Sequence, residues 1–581
     1  MIFPPRLRCF GCIILLAAAP AAFAKVEIDI KGVDNDIAEN VRQFLTLSRY
    51  ASRDDLTADS VARLQRRIPA ETAQALQPFG YYQPEVKYKI VPQGDQGKDW
   101  KIEIDIQPGS PVQLSQVDIA VDGPGADNPR VQTVLDRHDL RPGTRLDHGT
   151  YEQVKGSLLR AATSSGYLDA HFTRNQLLID TQSRSATVDL RLDTGECYHF
   201  GQIFVEQNVI RDGAMQRLLR MKQGAPYSND ALLATQYVLD DTQYFSSVEI
   251  ASDDPDRETH QVGIHVKAKP GKRNRYGVSA GYATDTGARG KISWDNRLVN
   301  TSGHKTSLEL IESQPLRSAT ARYIIPVRDI ALEKVEFTLN STHEELADTL
   351  SKRNEFATGL TQVMGRWQRV LFLKFSNETS VLPGETFTDF LIIPGISFAT
   401  LPNYVMGREP LPYSLFFELT GSPHSLGSGA SYLRLRIEAE RVFNITQKWH
   451  LRLRSQLGLS YVADFSELPL SQRFFAGGDN SVRGFGLNEL SPVDGHGNKI
   501  GGRDLVFGSV EVERDLPRNF GWAVFSDVGN AVNHFSDPLE YSVGVGLRYR
   551  IAVASLGVDV AQELSEPGHG PRLHLHLSTV F

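Results

Sequence analysis

Two kinds of hydrophobic pattern divide the chain, and they meet near Pro270-Gly271. Upstream, apolar residues recur at three-and-four spacing and then give way to short alternating runs. Ala231, Leu232, Thr235, Val238 and Leu239 approximate the i, i+3, i+4, i+7 stripe of a helix packed on a sheet, with Ser228-Asn229-Asp230 supplying an N-cap. The same landmarks return three times. Gly80-Tyr81-Tyr82, Gly166-Tyr167-Leu168 and Gln243-Tyr244-Phe245 each stand between a helical stretch and an alternating one, 86 and 77 residues apart. Pro108-Gly109 leads to Val117-Asp118-Ile119 as Thr194-Gly195 leads to Ile203-Phe204-Val205. A repeat of this kind predicts three small α+β units, over 25–107, 108–193 and 194–268, each built from a strand, two helices and two further strands.

Downstream, period two takes over. Trp449, Leu451, Leu453, Leu457, Leu459 and Tyr461 alternate with His450, Arg452, Arg454, Gln456 and Ser460, and Leu433, Leu435, Ile437 and Ala439 oppose Arg434, Arg436, Glu438 and Glu440. One face is apolar and the other charged, which suits a wall between lipid and a wet lumen better than a soluble sandwich. Segments between turn signals give strands at 274–284, 288–297, 305–313, 317–326, 332–343, 349–363, 366–379, 386–399, 412–421, 429–444, 447–463, 503–515, 518–528, 541–550, 551–560 and 572–581. That makes sixteen, an even number as bacterial outer-membrane barrels have. The expected fold is therefore three α+β modules followed by a 16-stranded antiparallel transmembrane β-barrel over 269–581. The last strand carries Leu573, Leu575 and Leu577 on its outward phase and ends on Phe581.

Composition narrows the setting. A net charge of -7 over 581 residues offers no basic footprint for nucleic acid. Arg6 and Arg8 precede an apolar run from Ile13 to Ala19, and Ala22-Phe23-Ala24 is a small-x-small cleavage site, so 1–24 reads as a secretory signal. Cys9 and Cys12 leave with it, and Cys197 alone excludes an intramolecular disulfide framework and a multi-cysteine metal site. Beyond the signal no window approaches the roughly 18 consecutive apolar residues of a spanning helix. An exported chain of this kind enters a membrane only as a closed barrel.

Between the strands at 447–463 and 503–515 lies a segment, 464–502, without strand pattern and far longer than an ordinary connection of roughly 4 to 6 residues. It contains Phe474-Phe475-Ala476-Gly477-Gly478-Asp479-Asn480-Ser481-Val482-Arg483-Gly484-Phe485, in which one strong cation sits among apolar and glycine neighbours. Partners for it follow from strand phase. Keeping Val506, Val510 and Val512 outward turns Glu511 and Glu513 inward, and keeping Trp522, Val524 and Val528 outward turns Phe525, Asp527 and Gly529 inward.

Val482-Arg483-Gly484-Phe485 resembles the loop signature of the BamA/TamA superfamily of outer-membrane insertases, and Phe525-Ser526-Asp527-Val528-Gly529 resembles the F-x-D-x-G strand motif that receives the loop arginine. The upstream units are similar to the polypeptide-transport-associated (POTRA) modules of that superfamily, which lie in the periplasm and bind extended chains at a sheet edge. Three modules resemble the translocation-and-assembly branch; core insertases typically carry five and two-partner secretion pores two. The resemblance implies a loop latch of Arg483, Gly484, Phe485, Asp527 and Glu511. It also implies a lateral seam between the first and last strands, at Tyr276, Gly277, Gly281, Leu573, Leu575, Leu577 and Phe581, where Gly277, Gly281, Gly568 and Gly570 weaken or shorten the pairing. A TamB-like inner-membrane-anchored partner, autotransporter-like clients and the lipid bilayer complete the implied setting, with no cofactor, nucleotide or covalent chemistry. The alternatives are a two-partner secretion pore exporting an unfolded polypeptide and a BamA-like core insertase.

Other signals carry less. Gly277-Val278-Ser279-Ala280-Gly281 matches G-x-S-x-G, but it falls inside an alternating strand with no helix after it, whereas a nucleophile elbow needs a strand-to-helix turn. His574 and His576 point inward without a third ligand at metal spacing and are expected to be a solvated lumen pair. Gly495, Gly497 and Gly501 have no helix behind them to make a phosphate loop, and Asp253-Asp254-Pro255-Asp256 is an acidic turn.

Overall fold

The computed structural model describes residues 26–50, 58–93, 99–401, 411–551, 554–565 and 570–579. The expected signal segment, Gly568 and Phe581 lie outside them. The described chain forms two compact units.

The first unit contains two three-stranded sheets. In one, Asp99–Gln107 is the central strand, parallel to Val26–Lys31 and antiparallel to Glu85–Gln93. Its Ile102, Ile104 and Ile106 are buried against Val41, Ala75 and Leu76 from the helices Asn35–Phe44 and Ile68–Leu76. In the other, Ser185–Asp193 is central between Gln113–Asp122 and His171–Asp180. Ala186, Val188, Leu190 and Leu192 bury one face of it beneath the helices Pro129–Arg137 and His148–Ser164. The second module has the predicted two helices; the first does not. Its chain turns extended at Leu45 and restarts at Thr46, whose amide and hydroxyl both donate to the Glu71 carboxylate, so that short helices at Thr46–Tyr50 and Ala58–Leu64 intervene. A glutamate supplied by a later helix supports that break, and no local pattern announces it.

The second unit contains a third sheet, Gln261–Pro270 between His199–Glu206 and Phe245–Ser252, with helices Asp212–Leu218 and Asn229–Asp241, and then the barrel. Sixteen strands close on themselves, from Asn274–Ala283 to Arg572–Thr579, each antiparallel to the next. No observed boundary in the barrel departs from its predicted one by more than four residues. Period two is a strong signal here because every strand faces lipid on one side and the lumen on the other. Tyr276, Val278 and Tyr282 on the first strand stay exposed on the outer face.

The third module is bonded to one end of this barrel. Tyr244 donates its hydroxyl to the Gly303 carbonyl at 2.6 Å, Lys305 donates to the Thr242 carbonyl at 2.8 Å beside the Tyr244 ring, and Arg220 pairs with Asp329 at 2.7 Å. The long loop leaves from the other end. Tyr244→Phe keeps the ring and removes one buried hydrogen bond, worth about 0.5–1.5 kcal/mol. Amide exchange of residues 242–245 is expected to quicken severalfold while exchange in the barrel strands stays unchanged.

Candidate functional site

Between Val462 and Asp504 the chain makes one tight turn, Leu470–Gln472, and isolated bridges Phe474↔Gly502, Ala476↔Leu490 and Val493↔Lys499. The result is a loose hairpin with its own apolar centre. Phe474, Ala476, Val482, Phe485 and Leu490 pack together and against Leu505, Phe507 and Ala531 of the adjoining strands. Gly484 has a φ of +99°, in the left-handed region, and a Cβ on it would stand 3.2 Å from the Glu563 amide. A side chain there would lift the arginine before it away from the wall.

Arg483 is met on every side. Its Nε and Nη2 donate to the two carboxylate oxygens of Asp527 at 2.7 and 2.9 Å, and its backbone amide donates to the same carboxylate at 3.2 Å. Nη1 reaches Glu511 at 2.7 Å and Asp559 at 3.4 Å, while the guanidinium carbon lies 3.3 Å from the centre of the Phe525 ring. Ser509 donates to Asp527 at 2.6 Å. A second cation, Arg548, pairs with Asp559 and lies 3.4 Å from Glu511. Two guanidiniums therefore face three carboxylates, and Asp527 is wholly buried. A bidentate arginine clamp is the arrangement that best repays desolvation.

The sequence-predicted latch residues are thus together: Arg483, Gly484 and Phe485 on the loop, Glu511 and Asp527 on the twelfth and thirteenth strands, Asp504–Asp515 and Phe520–Val532. The pattern that predicts those five does not single out Asp559 and Arg548. Each is a strong charge on the inward phase of its strand, between outward apolar neighbours, with Leu547 and Tyr549 flanking one and Val558 and Val560 the other. That phase is the signal that could have found them.

The loop is held at further points. On the distant wall, Glu378 of the seventh strand, Trp367–Leu382, is wholly buried and accepts from the Ser471 amide at 2.9 Å and from Ser351 at 2.8 Å. Arg473 is buried and, among the described residues, pairs with no carboxylate, its guanidinium donating to the carbonyls of Leu468, Ile500, Phe465 and Ser466. Near the seam, His574 of the last strand is wholly buried: its Nε2 accepts from the Gly484 amide at 2.9 Å and its Nδ1 lies 2.5 Å from the Asp479 carboxylate. The expectation of a solvated pair fails at His574 because the loop fills the space where water was anticipated. Asp479 in turn donates its backbone amide to Asp285, in the turn after the first strand, at 2.6 Å. Burial, with the Asp479 carboxylate beside it, pushes the Asp285 carboxyl up.

At the seam itself, among the described residues, the first and last strands share one residue pair, Ala283↔His576, whereas the first strand pairs with its other neighbour from Asn274↔Asn296 through Ala283↔Gly287. Among the described residues, Tyr276 and Gly277 have no partner on the last strand. Leu573 is exposed on the outer face, and Leu575 and Leu577 enter the seam through their carbonyls, which accept from Thr284 and Arg289. Ser279 lies mid-strand, away from any turn.

Removing either side of the arginine clamp strands buried charge, which typically costs about 3 to 5 kcal/mol. Asp527→Arg is expected to lower the denaturation midpoint of the reconstituted barrel, and adding Arg483→Asp is expected to recover part of that loss. Unchanged midpoints in both single variants would mean that the clamp contributes no stability.

Known proteins with the same arrangement place the chain. The model of the Omp85 superfamily domain matches residues 271–579, the model of POTRA domain TamA domain 1 matches 27–108, and a POTRA model described as surface antigen variable number repeat matches 198–271. The outer membrane protein assembly factor BamA of Nitratidesulfovibrio vulgaris is 22% identical over 383 residues, covering 62% of this chain and 48% of that protein. BamA of Neisseria meningitidis serogroup B is 21% identical over 468 residues, covering 74% and 58%. The chain thus spans about half the length of these relatives. Among solved structures, BamA from Haemophilus ducreyi lacking POTRA domains 1-3 superposes with a TM-score of 0.60 at 16% identity, over 80% of this chain and 99% of that one, a likeness of fold. CdiB from Acinetobacter baumannii gives a TM-score of 0.45 at 14% identity, over 90% of this chain and 99% of that one. With more than half of its length matched by the family's own barrel domain, and with POTRA modules ahead of it, the chain belongs to the Omp85 superfamily.

Proposed function

We propose that the chain is an outer-membrane assembly factor of the TamA type, its modules in the periplasm, which inserts or translocates autotransporter-like β-barrel clients through the seam between its first and last strands. The observation that carries this reading is the seam. Among the described residues one residue pair joins Asn274–Ala283 to Arg572–Thr579, which leaves most of the first strand's edge, from Asn274 onward, without ladder partners on the last strand. An open edge in lipid is a template for another strand, and a client hairpin satisfies its own backbone by pairing there before it leaves.

The assignment to the TamA branch, rather than to a core insertase, is supported by the match of the first module to the TamA domain 1 model and by the count of three sheets among the described residues. In this reading the first module reaches a TamB-like inner-membrane-anchored partner. The loop latch is a structural element, with Arg483 held against Asp527 and Glu511 as a pin for the loop and not as a reacting group.

Cysteines at Ala283 and His576 face each other across the single pair and are suited to a disulfide. The oxidised variant, reconstituted in liposomes, is expected to lose client insertion and to regain it on reduction. Insertion at the wild-type rate while cross-linked would overturn lateral release.

A further inference from the structure

The seam has little strand pairing, yet its two sides are joined from inside by the loop. His574 on the last strand is gripped by two loop atoms. Its Nε2 accepts from the Gly484 amide at 2.9 Å, which leaves the ring proton on Nδ1, and Nδ1 donates to the Asp479 carboxylate at 2.5 Å. The first hairpin is gripped by the same loop residue, whose backbone amide donates to Asp285 at 2.6 Å. One residue, Asp479, thus touches both edges of the seam, through its side chain on one and its main chain on the other. All three side chains are mostly or wholly enclosed, with 16% of the Asp479 side chain, 3% of that of Asp285 and none of that of His574 exposed. Hydrogen bonds there compete little with water.

Asp285, Asp479 and His574 also have the look of a cation site, since their ligand atoms lie within 4.8 Å of one another. The tautomer argues against it. A metal on Nδ1 would move the ring proton to Nε2, where it would meet the Gly484 N–H head on. With the proton on Nδ1, the Asp479 carboxylate accepts it in a charge-assisted hydrogen bond.

Two other contacts reinforce the closure. Leu575 donates its amide to the Thr284 hydroxyl at 3.1 Å. Arg289 of the second strand, Gly287–Asn296, lies across Gly281, where a Cβ would stand 2.7 Å from its Nε, and donates to the Leu577 carbonyl at 2.9 Å. Gly281, a weak point in strand pairing, is thereby also a passage for a side chain that spans the gap.

We propose that Asp479 and His574 are positioning residues of the seam, forming with Asp285 an interior staple through which the docked loop holds the first and last strands together. Loop docking and barrel closure are then one coupled equilibrium: the seam opens when Asp479 lets go. The consequence for clients rests on the lateral-release reading above, but the staple itself is a property of the resting barrel.

The test is amide exchange of the full chain in lipid nanodiscs, without client, followed in peptides from 274–284 and 572–579, with the seventh and eighth strands, Trp367–Leu382 and Glu385–Thr400, as internal control. Asp479→Ala is expected to raise seam exchange by about tenfold or more, the factor expected when a charge-assisted hydrogen bond is lost. Asp479→Asn retains the amide donor and an oxygen for the His574 Nδ1–H but not the charge, and is expected to exchange clearly more slowly than Asp479→Ala. Asp285→Ala reads the other arm and covers the case in which Asp479→Ala does not fold. Equal exchange in the wild type and both alanine variants would overturn the staple. So would seam exchange in Asp479→Asn as fast as in Asp479→Ala, or faster exchange on adding EDTA to the wild type, the latter assigning the cluster to a cation. Because no client is present, the proposal can fail while lateral insertion stands, and the seam disulfide can refute lateral insertion while the staple stands.

Discussion

A guanidinium taken out of water has to be met by acceptors on every donor, and Arg483 is met by three strands at once. Asp527 takes two of its donors side by side, Glu511 and Asp559 share a third, and Phe525 lies under the plane. Ordering a loop of this length in the lumen costs conformational entropy that the contacts of the docked loop have to offset. The clamp does so because each carboxylate is fixed on a strand whose neighbours are paired in register, and because Arg548 shares the acidic cluster and keeps it from carrying an excess of unpaired charge. From this point the rest of the loop follows: its apolar centre forms around Val482 and Phe485 on either side of the arginine, and its outer arm reaches Glu378 on the far wall.

The docked loop changes what the barrel is. An empty sixteen-stranded cylinder would be a wide channel, but here the loop packs Phe474, Val482 and Phe485 inside it against Leu505, Phe507 and Ala531. The same loop lies against the weakest junction in the wall. Among the described residues the first and last strands share one pair, and the polar groups that bridge them belong to Thr284, Arg289, Asp285 and the loop. On the staple proposal, the loop is the element whose release frees that place in the wall.

Much of this is legible in the sequence, for reasons that can be named. Strand phase follows from period two, and once Val510, Val512, Val524 and Val528 face lipid, Glu511 and Asp527 have to face the lumen. The sixteen strands emerge in the same way, because lipid on one side enforces alternation more strictly than a soluble core does. What the sequence conceals depends on contacts between distant segments. His574 is solvated or buried according to where the loop lies, and nothing near it in the chain says which. Glu378 looks like any inward acid among Ser376 and Ser380 until Ser471 arrives. The extra helices of the first module turn on Glu71 reaching back to Thr46, across 25 positions. Asp559 and Arg548 form an intermediate case, readable by phase but without a motif to draw the eye.

Lateral insertion stands or falls on whether a client strand docks at the unpaired edge of the first strand. Photo-crosslinking in living cells from lumen-facing and lipid-facing positions of that strand, with probes at Ser279 and Val278, reads this docking without an intermediary. Both positions are predicted to capture the terminal strand of a newly exported barrel protein, whereas the fifth and sixth strands, Glu333–Leu346 and Thr349–Met364, are not. Clients captured equally around the barrel, or none captured at the first strand while insertion proceeds, would contradict lateral insertion at this seam.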